Sequence, residues 1–269
     1  MSRACFALLV FTLAAAAATA ALAPPGALLQ RLGARVATLQ DQLNVVIADE
    51  TYRQEAQNHS QRVGRLIRAE ILFMWVPEQR TWLTVRNIRD VNGRAIPDSA
   101  NRIEAILAAP GTDLVARLVK LQREGARFDI GSFARTTSNP MLAVQYLAAG
   151  IQTHFNFDDR GTEKISGTAA RRITFTERAP IGVMLVNEKP AAVSGEFDVL
   201  EDDDSVAVAR SVLRVAAPGN AIISVDFERN AKIGAWVPVH MQERYRDNTV
   251  CYSDYSNFRR FETAGRLVP

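Results

Sequence analysis

From residue 151 onward this chain reads as strand after strand, with no helical stretch between them. Ile151, Thr153, Phe155 and Phe157 alternate with Gln152, His154, Asn156 and Asp158, and Ile173 and Phe175 keep the same rhythm through 171–178. Side chains of a strand point to opposite faces in turn, so this period of two marks a sheet with a buried side. Further candidate strands fall at 182–187, 193–200, 206–216, 221–229, 235–245 and 250–262. Turn formers separate them: Asp202-Asp203-Asp204, Pro218-Gly219-Asn220, Asn230-Ala231 and Asp247-Asn248. Short strands at regular spacing without crossover helices pair antiparallel with their neighbours. With a hairpin nearer the N-terminus, roughly nine or ten strands result, and a sheet of that size curls.

The first part of the chain follows two other rhythms. Leu28, Leu32, Val36, Leu39, Leu43, Val46 and Ile47 recur at steps of three and four, which predicts an amphipathic helix over 27–58. Its polar face, with Gln30, Arg31, Arg35, Gln40 and Asp41, carries both signs of charge, so the helix is expected on the sheet rather than on a lipid surface. Strands are expected at 65–77 and 80–91, followed by a tight turn at Asn92-Gly93. Residues 99–149 return to helix, with Asn101 as a cap, Pro110-Gly111 as a break, Thr112 or Asp113 as a second cap, and a third helix over 140–149. The expected fold is therefore α+β. One large curved antiparallel sheet spans 61–269, with the N-terminal helix (21–60) and the helical insertion (99–149) packed on its concave face.

Residues 1–20 have the layout of a secretory signal peptide. Arg3 supplies the positive start, 4–18 are apolar, and Ala18-Thr19-Ala20 offers the small-residue cleavage site. The apolar run falls short of the ~20 residues of a membrane span, and Pro24-Pro25-Gly26 breaks any helix after it. An exported protein of the periplasm or the medium is expected, with peripheral membrane association left open. Cleavage removes Cys5 and leaves Cys251, and one cysteine forms no internal disulfide. Lys and Arg number 32 against 29 Asp and Glu, well mixed along the chain. Without a basic cluster to neutralise phosphates, nucleic acid is not an expected partner.

The order helix, hairpin, helical block and long meander resembles that of the LolA/LolB-like lipoprotein-carrier superfamily. There a half-open barrel of antiparallel strands wraps around helices and leaves an apolar cavity. The stretch 223–227, the run Trp236-Val237-Pro238-Val239-His240-Met241-Gln242-Glu243-Arg244-Tyr245, residues 255–261, and 124–140 resemble uncharacterised exported bacterial proteins of acidobacteria-like genomes. The resemblance implies a half-barrel and a lipid or lipoprotein acyl chain as partner. It brings no catalytic motif.

Local motifs for chemistry are sparse. His59, His154 and His240 are far apart, with no zinc spacing, and no metal or cofactor is expected. Glu201-Asp202-Asp203-Asp204 has neither the spacing nor the central glycine of a calcium loop, and reads as a solvated hairpin tip. Cys251 lacks a Cys-x-x-Cys companion, and no Gly-x-Ser-x-Gly occurs. Arg259-Arg260, Arg127 and Arg135 are possible anionic contacts, with strand-edge charges as the plainer reading for the first two. The aromatic set Phe73, Trp75, Trp82, Phe155, Phe157, Phe175, Phe227 and Trp236 lies wholly on expected strands and is the candidate lining of an apolar cavity. The function expected first is a non-enzymatic envelope binding protein for an apolar or amphiphilic ligand, held between sheet and helices. An interaction module of the envelope and a hydrolase whose site assembles only in space stay open as alternatives.

Overall fold

The structure, a computed structural model, describes residues 26–58, 61–131, 138–165, 167–179, 184–186, 189–201, 205–216 and 220–261. The leader, His59, Arg135 and the acidic run over 202–204 lie outside the described residues.

Helix α1 (Gly26–Gln42) leads into β1 (Val46–Asn58), β2 (Gln61–Val76), β3 (Thr81–Val91) and β4 (Arg94–Ala95). Two helices follow, α2 (Arg102–Ala108) and α3 (Leu114–Ala126), then a 3-10 turn (Val144–Leu147) and the single-turn α4 (Ala149–Gln152). The meander comprises β5 (Phe155–Ile165), β6 (Thr168–Glu177), β7 (Leu185–Val186), β8 (Lys189–Pro190), β9 (Val193–Glu201), β10 (Val206–Val215), β11 (Ala221–Asn230), β12 (Ala235–Arg244) and β13 (Val250–Arg260). All but β7 and β8 form one 11-stranded sheet, ordered β4-β3-β2-β1-β13-β12-β11-β10-β9-β6-β5. Every described neighbour pair is antiparallel. The expected α+β fold with a large curved antiparallel sheet is the architecture found.

Bulges bend the sheet. The register slips between Ile47 and Asp49, Arg68 and Ala69, Val208 and Arg210, Asp226 and Phe227, and Asp159 and Thr162. Each slip adds a residue to one strand and increases local twist. Pro238, which has no N–H to donate, sits beside one of them, opposite Phe227, where the ladder is already interrupted. Asn92 (φ 52°) and Gly93 (φ 81°) make the β3–β4 turn that the Asn-Gly pair dictates.

The long helix expected over 27–58 is corrected. It ends at Gln42, and 46–58 form β1. Val46 and Ile47 extend the helical spacing by coincidence, because beyond them Ala48, Glu50, Tyr52, Gln54 and Ala56 are buried at every second position. The break is at Val45, in the left-handed region (φ 55°), which a β-branched residue rarely adopts. Flanking bonds hold it there: Phe261 N–H donates to the Val45 carbonyl, and Asn44 Oδ1 accepts from Trp75 N–H.

The helices divide between the two faces. On the inner face, Leu28, Leu32, Val36 and Leu39 of α1 join Val46, Ala48, Ile71 and Phe73 in the main core. The 141–147 segment, with Met141, Val144, Tyr146 and Leu147, completes it. On the outer face, Ile103 of α2 and Leu118 and Leu121 of α3 cover Ile47, Leu72, Met74 and Val85. The expectation that the whole insertion sits with α1 on one face is thus corrected. β1 to β3 are apolar on both sides, so both sides need cover. The 140–149 stretch is a 3-10 turn followed by α4 rather than a regular helix.

Candidate functional site

The aromatic residues expected to line a cavity are mainly packed against one another. Phe175 stacks on Phe197 with centroids 4.9 Å apart, and Phe155 meets Phe175 edge-on at 5.6 Å. Phe157 and Tyr146 close the same cluster. Trp75 and Trp82 form an edge pair at 5.6 Å, and Phe73 lies between Tyr255 and Phe258. Phe73, Trp82, Phe155, Phe175 and Phe227 are buried, whereas Trp75, Phe157 and Trp236 are half-buried. Six of the eight make these ring contacts, and the buried Phe227 belongs to the same core. Phe227 and Trp236 stand apart from those six, along the seam between α1 and the sheet.

That seam is walled by Leu32, Val36 and Leu39 of α1 and by Val208, Phe227 and Trp236 of the sheet. The space enclosed is about 10 Å³, too small for an acyl chain in this closed form. At Arg35 and Trp236 the seam meets an open cleft of about 430 Å³. Arg31, Arg35 and Thr38 of α1 form one side of the cleft, and Val206, Arg229 and Trp236 of the sheet the other. Polar bonds to described residues tie α1 at both ends. Arg31 donates to Glu201 at 3.1 Å and to the Ser205 carbonyl at 2.8 Å, and Gln42 donates to the Gly234 carbonyl at 3.2 Å. Gln152 of α4 donates to the Leu29 carbonyl at 2.8 Å. Gly33 permits that approach, since a Cβ there would stand 3.2 Å from the Gln152 amide nitrogen.

The cleft is electropositive. Arg35 is half-buried, and among the described residues neither it nor Arg229 forms an ion pair with a carboxylate. Burial, reinforced by the charge of Arg229, pushes the Arg35 guanidinium below its usual pKa. Sequence reasoning placed Arg35 on the polar face of its helix. It had no means of bringing Arg229, 194 positions later, opposite it.

A second polar group lies buried inside the sheet. Arg86 grips Glu50, with Nη2 at 2.8 Å from Oε1, and stacks 4.1 Å over the Tyr52 ring. Ser253 donates to Glu50 at 2.8 Å, while Tyr52 and Tyr245 donate to Glu243 at 2.9 and 2.7 Å. Burial disfavours the Arg86 charge, but the facing Glu50 carboxylate outweighs it and holds the guanidinium well above its ordinary pKa. Burial and Glu50 likewise push Tyr255 up. This network is sealed and satisfied, as a framework is.

The remaining sequence candidates are dispersed. His240 Nδ1 lies 2.6 Å from Asp254 Oδ1, both exposed on the outer face. No serine or threonine hydroxyl among the described residues is recorded on its other nitrogen, so nucleophile, base and orienting group do not assemble there. His154 sits apart, just before β5. Cys251 is a buried thiol. Arg259 belongs to a central strand rather than an edge, and binds Asp49, Glu70 and Glu104. Arg127 lies over the Phe128 ring. No three metal-ligating side chains gather among the described residues. Among the described residues the exposed large apolar ones are Val63 and Leu66 on β2 and Ile222 on β11. Those strands are four places apart, roughly 19 Å at the strand spacing, so the three make no common patch. No described helix is long and apolar enough to cross a membrane.

No protein-family model and no curated protein matches this chain. Solved structures similar to it in outline include the following three. A DUF1329 family protein from Desulfovibrio piger is 10% identical with a TM-score of 0.44, over 90% of this chain and 95% of that one. An outer membrane lipoprotein-sorting protein domain from Vibrio parahaemolyticus is 12% identical with a TM-score of 0.39, over 86% and 93%. A LolA superfamily protein from Nitrosomonas europaea is 9% identical with a TM-score of 0.38, over 87% and 93%. At such scores the functional argument stands on this chain's own residues.

Proposed function

We propose that this protein is an exported, non-enzymatic binding protein of the bacterial envelope that carries an amphiphilic ligand beneath α1. One observation carries the reading: the open cleft and the apolar seam share Arg35 and Trp236 in their walls. A ligand with a polar head and an apolar chain matches that sequence of surfaces. The chain enters as α1 lifts from β10 and β12, and takes over contacts that the helix makes in the closed form. The tethers at Arg31 and Gln42 are rim bonds of the kind that exchange with water at modest cost. The leader read from residues 1–20 supports a place outside the cytoplasm.

The test is a chain-length series. Alkyl phosphates of eight, ten and twelve carbons, each below its micelle concentration, are titrated into detergent-free protein by calorimetry. Burial of each methylene contributes about 0.8 kcal/mol, so affinity rises about fourfold per carbon. Affinity that is flat with chain length, or no binding at all, overturns the reading.

A further inference from the structure

Many arginines of the described structure pair with a carboxylate. Arg31 pairs with Glu201, Arg86 with Glu50, Arg172 with Asp198, and Arg259 with three acids. Arg35 and Arg229 do otherwise. They come from separate elements, α1 and β11, and face the same cleft. Each repels the other, and no carboxylate among the described residues pairs with either. Glu201, which Arg31 reaches from the rim, is also held by Arg171. Arg35 is half-buried and Arg229 exposed, so their repulsion falls mainly on Arg35. An anion placed between them reverses that term. Guanidinium groups suit this task, because their planar forks match the paired oxygens of phosphate and carboxylate.

Resting on the carrier reading above, we infer that the cleft selects an amphiphile with an oxyanion headgroup, phosphate or carboxylate, clamped between Arg35 and Arg229. The chain runs from that headgroup past Trp236 into the seam. Trp236 thereby stands at the junction of head and tail, where an aromatic ring with one wet edge is well suited.

Calorimetry on the full chain at low salt uses three probes: dodecyl phosphate, dodecyl maltoside and inorganic phosphate. Dodecyl phosphate binds at least about tenfold tighter than the maltoside, the size of effect expected of charge-assisted hydrogen bonds. Inorganic phosphate binds weakly and competes with dodecyl phosphate alone. Arg35→Gln and Arg229→Gln each weaken dodecyl phosphate about tenfold and leave the maltoside unchanged. Their melting temperatures stay at the wild-type value, which separates loss of a contact from loss of the fold. Arg210→Gln, on the outer face, changes neither affinity.

Equal affinity for the two dodecyl compounds, with both cleft variants silent, overturns the headgroup clamp while leaving the carrier intact. Inorganic phosphate binding as tightly as dodecyl phosphate also overturns it, in favour of a small-anion site. Failure of both dodecyl compounds to bind removes the carrier reading itself, and the clamp with it.

Discussion

Arg86 and Arg35 mark two ways in which one sheet treats a guanidinium. Arg86 is buried between β1 and β3 against Glu50, with Ser253 and the Tyr52 ring completing its surroundings. Arg35 is half-buried at the other end of the inner face and meets a second cation instead of an acid. A charge removed from water requires a partner, and the framework supplies one wherever the site is closed. At the α1 cleft the site is open, and no carboxylate among the described residues pairs with Arg35. The difference separates a group that holds the sheet together from groups turned toward something outside it.

The comparison can be broken most severely at Arg86. Arg86→Met leaves Glu50 buried without its counter-charge and is expected to cost about 3–5 kcal/mol, measured by urea unfolding. Combining it with Glu50→Gln recovers part of that loss, whereas additive losses would mean the two charges do not act as a pair. Gly195→Ala tests the packing under the Phe175 ring. A Cβ there would stand 2.0 Å from the Val212 carbonyl and 2.7 Å from the Phe175 ring. Overpacking of this kind costs about 1–3 kcal/mol or more, and an unchanged unfolding midpoint would contradict the fit between β9 and β10.

Asp159 with Arg171 is an intermediate case, a buried carboxylate under a partly exposed cation. Burial raises the Asp159 pKa, but the bonds from Arg171 and from Gly161 N–H prevail and hold it below the ordinary value. A carboxyl depressed in the folded state stabilises the protein above its unfolded pKa, and that stability is lost as pH falls through the folded value. Asp159→Asn is therefore expected to lower stability at pH 7 by less than about 1 kcal/mol and to lose less than the parent between pH 5 and pH 3. A variant as acid-sensitive as the parent would remove this carboxyl from the account. Smallest of all is Arg35→Gln, expected within about 0.5 kcal/mol of wild type because it relieves repulsion and breaks no ion pair. A large loss there would place Arg35 among the framework residues.

The sheet was legible in the sequence where one face is apolar and the other polar. Strands β9 to β13 fall within a residue or two of their sequence positions, since alternation and turn residues act locally. Where both faces are covered the signal blurred. Strand β1 was taken into the preceding helix because Val46 and Ile47 are both buried, one on each side of the sheet. The site was less legible than the fold. The aromatic residues identified strands correctly but could not separate core from cleft, since a strand presents Phe175 and Trp236 alike. Glu50, Arg86 and Glu243 each look like one polar residue in an alternating run. Only the register of β1, β2, β3, β12 and β13 brings them together.

The first strand of the sheet pairs along its length with the last, so that Tyr52 lies opposite Ser253. A ribosome, or a pore in a membrane, delivers these two segments at opposite ends of synthesis. Until the closing stretch emerges, the midline of the sheet is a bare edge and the chain remains threadable. Loops that long also make for slow closure. Removing the final strand would thus expose β1 and β12 together, and such a truncated chain should associate with its own kind rather than settle into a smaller native form.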